Sequence, residues 1–406
     1  MVVAYFVPEI GSAAHIYHDL AKAFVKRGHE VDIITSYPRK FNLDKENQEK
    51  EFPLEEVIDD INVHRCKHSA VRDIIFLRGL EHFTLPRIYF KTYNKLKKKF
   101  DVCLIYVPPL PLYYFARKLK KFGGTPAVLN FQDFHPQELT DVGVMKNRLM
   151  IKIMEYIEKQ TYKNADYITV LSNGGIDYVV RKGGNPNRIK HVYNAVNLQD
   201  IQKYLTKKDF KKKEGIEDKF LVSYAGILSP FQGVDNILDV AKKLSNHEDL
   251  VFYMAGDGMI RKQLEERIKE EKITNARLLP FQPREEYFNI INSSDISIVS
   301  LDSRMKAPCL PGKLINLLAA KQPIIATVPS DSETAYVIQE AKCGIIVEPG
   351  NIEQLADAIL KLKEDEKLRE QLAENGRKFL EENMNLEKNV KMYEEIFKKL
   401  IEGGKT

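Results

Sequence analysis

The sequence holds no apolar run approaching the roughly 18 residues that a membrane-crossing helix needs, which argues against a helical membrane protein. Cysteine is scarce. Cys66, Cys103, Cys309 and Cys343 are the only four in 406 residues, and they are scattered without metal-ligand spacing. They provide neither a zinc knuckle nor an evident disulfide framework, and reduced thiols of a cytoplasmic protein are the expectation. Met1 leads directly into the short apolar run Val2 to Val7 with no charged region before it, too short for a signal peptide. Charge of one sign is not in large excess either: the net charge of +5 is modest for the length and does not argue for a nucleic-acid partner. No Gly-x-Gly-x-x-Gly follows the first apolar run, which disfavours a nicotinamide-dependent enzyme. There is no convincing Asp-x-Asp metal motif, and Asp331-Ser332-Glu333 reads more simply as a helix start. Internal repeats and low-complexity tracts are also missing.

What is present is an ordinary globular composition, 44% hydrophobic and 29% charged, in a chain too long for one core. Short β-branched runs alternate with amphipathic stretches throughout, the pattern of parallel sheets covered by helices. The runs predict strands at 2–7, 30–35, 61–66, 101–107, 126–131, 166–172 and 188–193, with helices near 13–27, 110–121 and 147–163. Residues 198–218 are rich in lysine and weakly periodic, as an exposed connection would be. A second alternation follows at 219–225, 250–255, 276–280, 295–300, 323–327 and 344–347. The expected fold is therefore α/β, with two Rossmann-like domains facing across a cleft. They occupy residues 1–197 and 219–385, with 198–218 as linker and a C-terminal helix, 386–406, crossing back to the first domain.

Ligands of such sheets bind beyond the carboxyl ends of the strands, so the loops there carry the candidate residues. After the first run comes Pro8-Glu9-Ile10-Gly11-Ser12, opening a helix that contains His15. Gly11 permits close backbone approach where free helix N–H groups favour an anion or a sugar hydroxyl, although a simple strand-to-helix turn explains it equally well. Asp133 and His135 stand two residues apart after a strand, suited to handling protons or orienting hydroxyls, or else to capping the next helix. In the second half, three loops follow strands: Gly226 through Gln232-Gly233, Gly256-Asp257-Gly258, and Pro308 to Asn316. In Pro311-Gly312-Lys313-Leu314 the glycine, the helix terminus and the lysine would suit a diphosphate. The glycine spacing excludes a Walker loop.

Taken in order, Pro8-Glu9-Ile10-Gly11, Lys26-Arg27-Gly28-His29, Asp133-Phe134-His135-Pro136, Asn194-Ala195-Val196-Asn197, Tyr224-Ala225-Gly226, Gly256-Asp257-Gly258 and Pro311-Gly312-Lys313 resemble family 4 glycosyltransferases of GT-B architecture. The likeness is strongest to the branch that builds surface polysaccharides. The resemblance implies a retaining transfer from a nucleotide-diphosphate sugar, usually a UDP-sugar, to a lipid-linked or glycan acceptor, with no obligatory metal or other cofactor. It implies donor contacts from Gly11, Gly226, Gln232, Gly256, Asp257, Pro311, Gly312, Lys313, Leu314 and Asn316. Acceptor contacts would come from Glu9, Gly11, Ser12 and His15, and the catalytic candidates are Asp133 and His135. The family's paired glutamates are missing here, the second falling on Asn316 and the first near Pro308, so the ribose clamp carries no charge.

Residues 71–100 carry eight Lys or Arg against Asp73 and Glu81, with Phe76, Phe83, Tyr89, Phe90, Tyr93 and Phe100 interleaved. This stretch suits an anionic bilayer at the inner membrane face, or an ordinary helix with a solvated basic face. Two other functions compete with an active transferase: a catalytically silent subunit that binds a partner transferase, and a sugar-nucleotide epimerase of the same fold.

Overall fold

The structure, a computed structural model, describes residues 1–39, 43, 47–67 and 75–403, apart from the side chains of Ser12 and of residues 75–80. It divides into two units, Met1–Ala195 with the C-terminal segment from Leu386, and Val196–Asn385.

The first unit is built on eight strands: β1 (Val2–Val3), β2 (Asp32–Ser36), β3 (Glu55–Ile58), β4 (Ile61–Cys66), β5 (Cys103–Val107), β6 (Ala127–Phe131), β7 (Tyr167–Val170) and β8 (Ile189–His191). Their order is β3-β4-β2-β1-β5-β6-β7-β8, parallel except for β3 against β4. The order reverses between β1 and β5, where Val2 sits opposite both Ile34 and Ile105. Strand β1 stops at Val3 rather than continuing to residue 7, because the chain turns away, with the Glu9 N–H donating to the Phe6 carbonyl at 3.0 Å. Strand β3 is not evident in the sequence pattern. It joins β4 through Asp59-Asp60, both at positive φ (50° and 62°), the geometry of a two-residue hairpin turn that short polar side chains tolerate.

The helix Ser12–Lys26 and the C-terminal helix Leu386–Gly403 close one core, where Tyr17, Ala21 and Phe24 meet Val390, Tyr393 and Ile396. Arg27 donates to both carboxylate oxygens of Glu394 at 2.7 and 2.6 Å and His29 adds a third contact at 2.9 Å, so the helix-to-strand turn Arg27-Gly28-His29 anchors the returning helix. The helix Arg148–Asn164 starts where the Asn147 side chain accepts from the Met150 N–H at 3.0 Å, a cap worth about 1 kcal/mol.

The basic and aromatic stretch 71–100 begins outside the described residues, at 71–74, and continues as the helix Ile75–Lys95. Among its described side chains, Tyr89, Phe90, Tyr93 and Phe100 turn inward. Tyr89 is buried with its hydroxyl 2.7 Å from Ser36 Oγ, and Phe90, Tyr93 and Phe100 pack with Phe115 and Phe122. Among the described residues of this stretch the exposed charges are all cationic: Arg87, Lys91, Lys95, Lys97 and Lys99. Among the described residues no helix is long and apolar enough to cross a membrane.

The second unit carries six parallel strands, β9 (Phe220–Ala225), β10 (Leu250–Ala255), β11 (Ala276–Leu279), β12 (Ile296–Ser300), β13 (Ile324–Thr327) and β14 (Gly344–Val347), in the order β11-β10-β9-β12-β13-β14. Here the order reverses between β9 and β12. The near-continuous burial of β9, β10, β12 and β13 explains why the apolar runs marked these four so closely. Residues 198–218 are not an exposed linker but two helices of this unit, Leu198–Leu205 and Phe210–Glu214. Phe210 is buried against the Tyr253 ring, and three of the lysines that suggested a solvated connection pair with acids: Lys207 with Glu285 and Glu286, Lys211 with Asp295, and Lys213 with Asp209 and Glu286. Asp331-Ser332-Glu333 is indeed a helix start, with Ser332 accepting from the Ala335 N–H at 3.2 Å.

Candidate active site

In the second unit the loops after β9, β10 and β12 converge at the point where the strand order reverses. Gly256 follows β10, and a Cβ there would lie 1.8 Å from the Gly226 carbonyl oxygen; one at Gly258 would lie 2.2 Å from the Leu228 oxygen. Two backbones therefore touch, and glycine is what lets them. The contact is held by the Leu228 N–H donating to the Asp257 carbonyl at 2.9 Å and the Gly258 N–H donating to the Asp257 carboxylate at 2.7 Å. Asp257 thus spends its own carboxylate on its own loop.

Across this floor lies Lys313, the first residue of the short helix Lys313–Ala319, which has no side-chain cap on Gly312. Its Nζ donates to Gln232 Oε1 at 2.5 Å and rests 3.9 Å from the centre of the Tyr224 ring. It is also the atom a side chain on Gly226 would meet, at 3.3 Å. Among the described residues no carboxylate pairs with it, and burial lowers its pKa to about 7. The Tyr224 hydroxyl, bonded to the Ile227 carbonyl at 2.8 Å, fixes the ring under the ammonium. Asn316, one turn on, donates to the Tyr287 hydroxyl at 3.4 Å, and burial pushes that phenol up to about 12. Leu314 is wholly buried in the core, with its N–H donating to the Pro311 carbonyl. Of the sequence candidates, this arrangement gathers Gly226, Gln232, Gly256, Asp257 and Lys313, with Pro311, Gly312 and Asn316 on the same loop and helix. Tyr224 and Tyr287 were missed, although Tyr224 is signalled by an aromatic closing an apolar strand just before a glycine.

In the first unit, Gln132 to His135 leave β6. Phe134 is buried, stacked on Phe131 and edge-on to Tyr178, and the Glu138 carboxylate accepts its N–H at 2.7 Å. Asp133 and His135 flank this plug and are half-buried. Burial raises Asp133 well above the ordinary carboxylate range, and it raises Glu138 further, with the charge of Asp133 adding to the effect. Burial lowers His135 to about 4, so its imidazole is neutral at physiological pH and can donate from one nitrogen while accepting at the other. Glu138 was not singled out in the sequence because it reads as an ordinary first-turn acid of the helix Gln137–Asp141.

On the loop after β1, Glu9 is almost wholly buried and accepts from the Arg39 N–H at 3.3 Å, so it braces the loop. Gly11 stands at the start of the helix Ser12–Lys26 in extended backbone, with open space where a Cβ would be. Ser12 opens the helix and its side chain lies outside the described residues; His15 is half-buried in the first turn.

Residues 11–195 match the model of the glycosyl transferase 4-like domain, and residues 206–379 match that of glycosyl transferases group 1. The chain belongs to the family 4 glycosyltransferases, with the GT-B fold. The transferase is 28% identical over 261 residues to the uncharacterized glycosyltransferase MJ1069 of Methanocaldococcus jannaschii, a match covering 63% of this chain and 64% of that protein's length. It is 22% identical to WcaI of Escherichia coli, a glycosyl transferase assigned to colanic acid biosynthesis, over 87% of this chain and 89% of that one. Its fold is shared with Anabaena HepE, solved in complex with UDP and glucose, at a TM-score of 0.72 and 14% identity over 98% of both chains.

Proposed function

We propose that this glycosyltransferase moves a sugar from a UDP-sugar to a hydroxyl of a lipid-linked or glycan acceptor in surface-polysaccharide synthesis, with retention of anomeric configuration and without a metal ion. The observation that carries the donor side is Lys313: a half-buried ammonium without a carboxylate partner, at the strand-order reversal of a parallel sheet, beside glycines that bring backbone close. A diphosphate is the anion that such a site accepts, with Lys313 and the uncapped backbone N–H groups meeting the charge that develops as the phosphate leaves. HepE, which shares the fold, is described with UDP, and WcaI with colanic acid, which supports the choice of nucleotide and of product class.

In the transfer, the acceptor oxygen forms a bond to the anomeric carbon as the bond to the diphosphate oxygen breaks. The acceptor's proton leaves to the released diphosphate. Asp133 and the neutral His135 orient sugar hydroxyls by hydrogen bonds, and Gly11 admits the sugar or acceptor close to the backbone. Ser12 and His15 serve the acceptor side, on a loop that the buried Glu9 braces. Asn316, backed by Tyr287, replaces a charged ribose clamp with a neutral one. The site of action is the cytoplasmic face of the inner membrane, where the cations of residues 71–100 favour an anionic bilayer.

Asn316 and the stretch near Pro308, standing where the family has glutamates, favour a second reading, the silent subunit. A panel of UDP- and GDP-sugars examined by calorimetry, followed by assays of nucleotide diphosphate release with glycan acceptors, separates the two. Heat and UDP release with a UDP-sugar are expected. Heat with none of the panel moves the conclusion to the silent subunit, and a converted nucleotide sugar without acceptor moves it to an epimerase.

A further inference from the structure

The helix Arg148–Asn164 buries Met154, Ile157, Glu158, Thr161 and Tyr162. At about 100° of rotation per residue, the direction opposite that face falls between Lys163 and Tyr156, with Leu149 and then Ile153 following on the Tyr156 side. Leu149, Ile153 and Tyr156 are 69%, 41% and 64% exposed, and they stand on successive turns along one stripe. Isolated exposed apolar residues are common on any surface. Three in line, running from beside the centre of the outward face toward one edge of it, are not accounted for by the core. Along one flank of the stripe run Arg148, Lys152 and Lys159, all exposed, with Glu155 as the one exposed acid of the helix. Among the described residues no ion pair engages these three cations.

An apolar stripe bordered by unneutralised cations with long aliphatic stems fits a surface that is anionic at its face and apolar beneath. We infer that the outward face of the helix Arg148–Asn164 docks this transferase on an anionic lipid bilayer, with Leu149, Ile153 and Tyr156 entering the interface and Arg148, Lys152 and Lys159 among the headgroups. This deepens the membrane part of the functional reading above and relocates its apolar element. From residue 81 onward the helix Ile75–Lys95 packs Tyr89, Phe90 and Tyr93 inward, and the charges it exposes there are cationic. The strip on Arg148–Asn164 supplies both apolar side chains and charge.

The test is sedimentation of the full chain with vesicles of equimolar phosphatidylcholine and phosphatidylglycerol, against vesicles of phosphatidylcholine alone. Binding to the anionic vesicles only, weakened by salt, is expected. The triple variant Leu149→Ser, Ile153→Ser, Tyr156→Ser should bind about tenfold more weakly or worse. The double variant Lys152→Glu, Lys159→Glu should lose binding to a similar degree, and Lys91→Glu, Lys95→Glu should lose less than either. All replace exposed side chains, so thermal melts should match the unaltered chain. Failure of the unaltered chain to sediment with anionic vesicles overturns the inference, as does undiminished binding by the serine variant. A dimer in vesicle-free solution that the serine variant dissolves overturns it in favour of a second copy of the chain. UDP binding measured in parallel keeps the two readings apart: vesicle binding without UDP binding supports this inference while removing the donor assignment, and UDP binding without vesicle binding does the reverse.

Discussion

At the scale of single residues, the chemistry concentrates on titratable groups whose surroundings disfavour their charge. Lys313 is the clearest case. Its pKa lies near 7 because burial penalises the ammonium and no carboxylate offsets that penalty among the described residues. A bound diphosphate would favour the charged form and draw the pKa upward. Below about 7 the ammonium is already present, so nucleotide binding takes up almost no proton; above it, binding must take a proton from buffer, and affinity falls as pH rises. Calorimetry of UDP binding in buffers of different ionisation enthalpy should therefore show proton uptake approaching one a unit above the pKa and close to none a unit below. Lys313→Met should abolish the uptake and lower turnover by about a hundredfold to a thousandfold. Unaltered proton uptake in that variant would assign the titration to another group.

At the scale of elements, the paired loops after β9 and β10 are where sequence and packing meet most tightly. Gly256→Ala would place a methyl group within 1.8 Å of the Gly226 oxygen, so one backbone must move. The expected cost is about 1 to 3 kcal/mol of stability. Nucleotide binding should weaken with it, because Gly226 lies against Lys313. Gly11→Ala meets open space and should leave the melting temperature unchanged; a loss of turnover there would then report on ligand approach alone. These contacts also mark the limit of what was legible beforehand. Strands β9, β10, β12 and β13 could be read within about a residue because buried parallel strands are continuous apolar runs, and the partly buried edge strands β11 and β14 stand out by their paired leucines and isoleucines. Strand β3 could not: it is a half-exposed edge strand, and its turn, Asp59-Asp60, lacks the usual glycine. The glycines and Lys313 were legible as a group because they occupy the ends of strands. Tyr287 and Glu138 were not, since a phenol within a helix and a first-turn acid look alike whether they serve a site or a core. The lysines of 198–218 misled for a related reason: charge density signals solvent only when the opposite charges, here Glu285, Glu286 and Asp295, are far away in sequence.

At the scale of the whole molecule, the order of the chain and the order of folding units do not coincide. Unit two is one continuous segment whose ends meet in the pairing of Val196 with Asn385. Unit one is discontinuous and takes its last helix from the far end of the chain. That helix brings Leu386, Val390, Tyr393 and Ile396 into the core, worth about 1.5 to 3 kcal/mol each. It also brings the Tyr393 hydroxyl, which accepts from Asn130 at 3.1 Å inside the buried network of Tyr17, Asn130 and Thr169. Their sum is comparable with the total stability of a domain, about 5 to 15 kcal/mol. Residues 196–385 expressed alone should therefore melt in one cooperative transition, whereas 1–195 alone should not fold, and 1–195 joined to 386–403 by a flexible linker should recover cooperativity. A cooperative melt of 1–195 at the temperature of the linked form would show that the returning helix is dispensable, and that the clamp of Arg27 and His29 on Glu394 follows folding rather than enabling it.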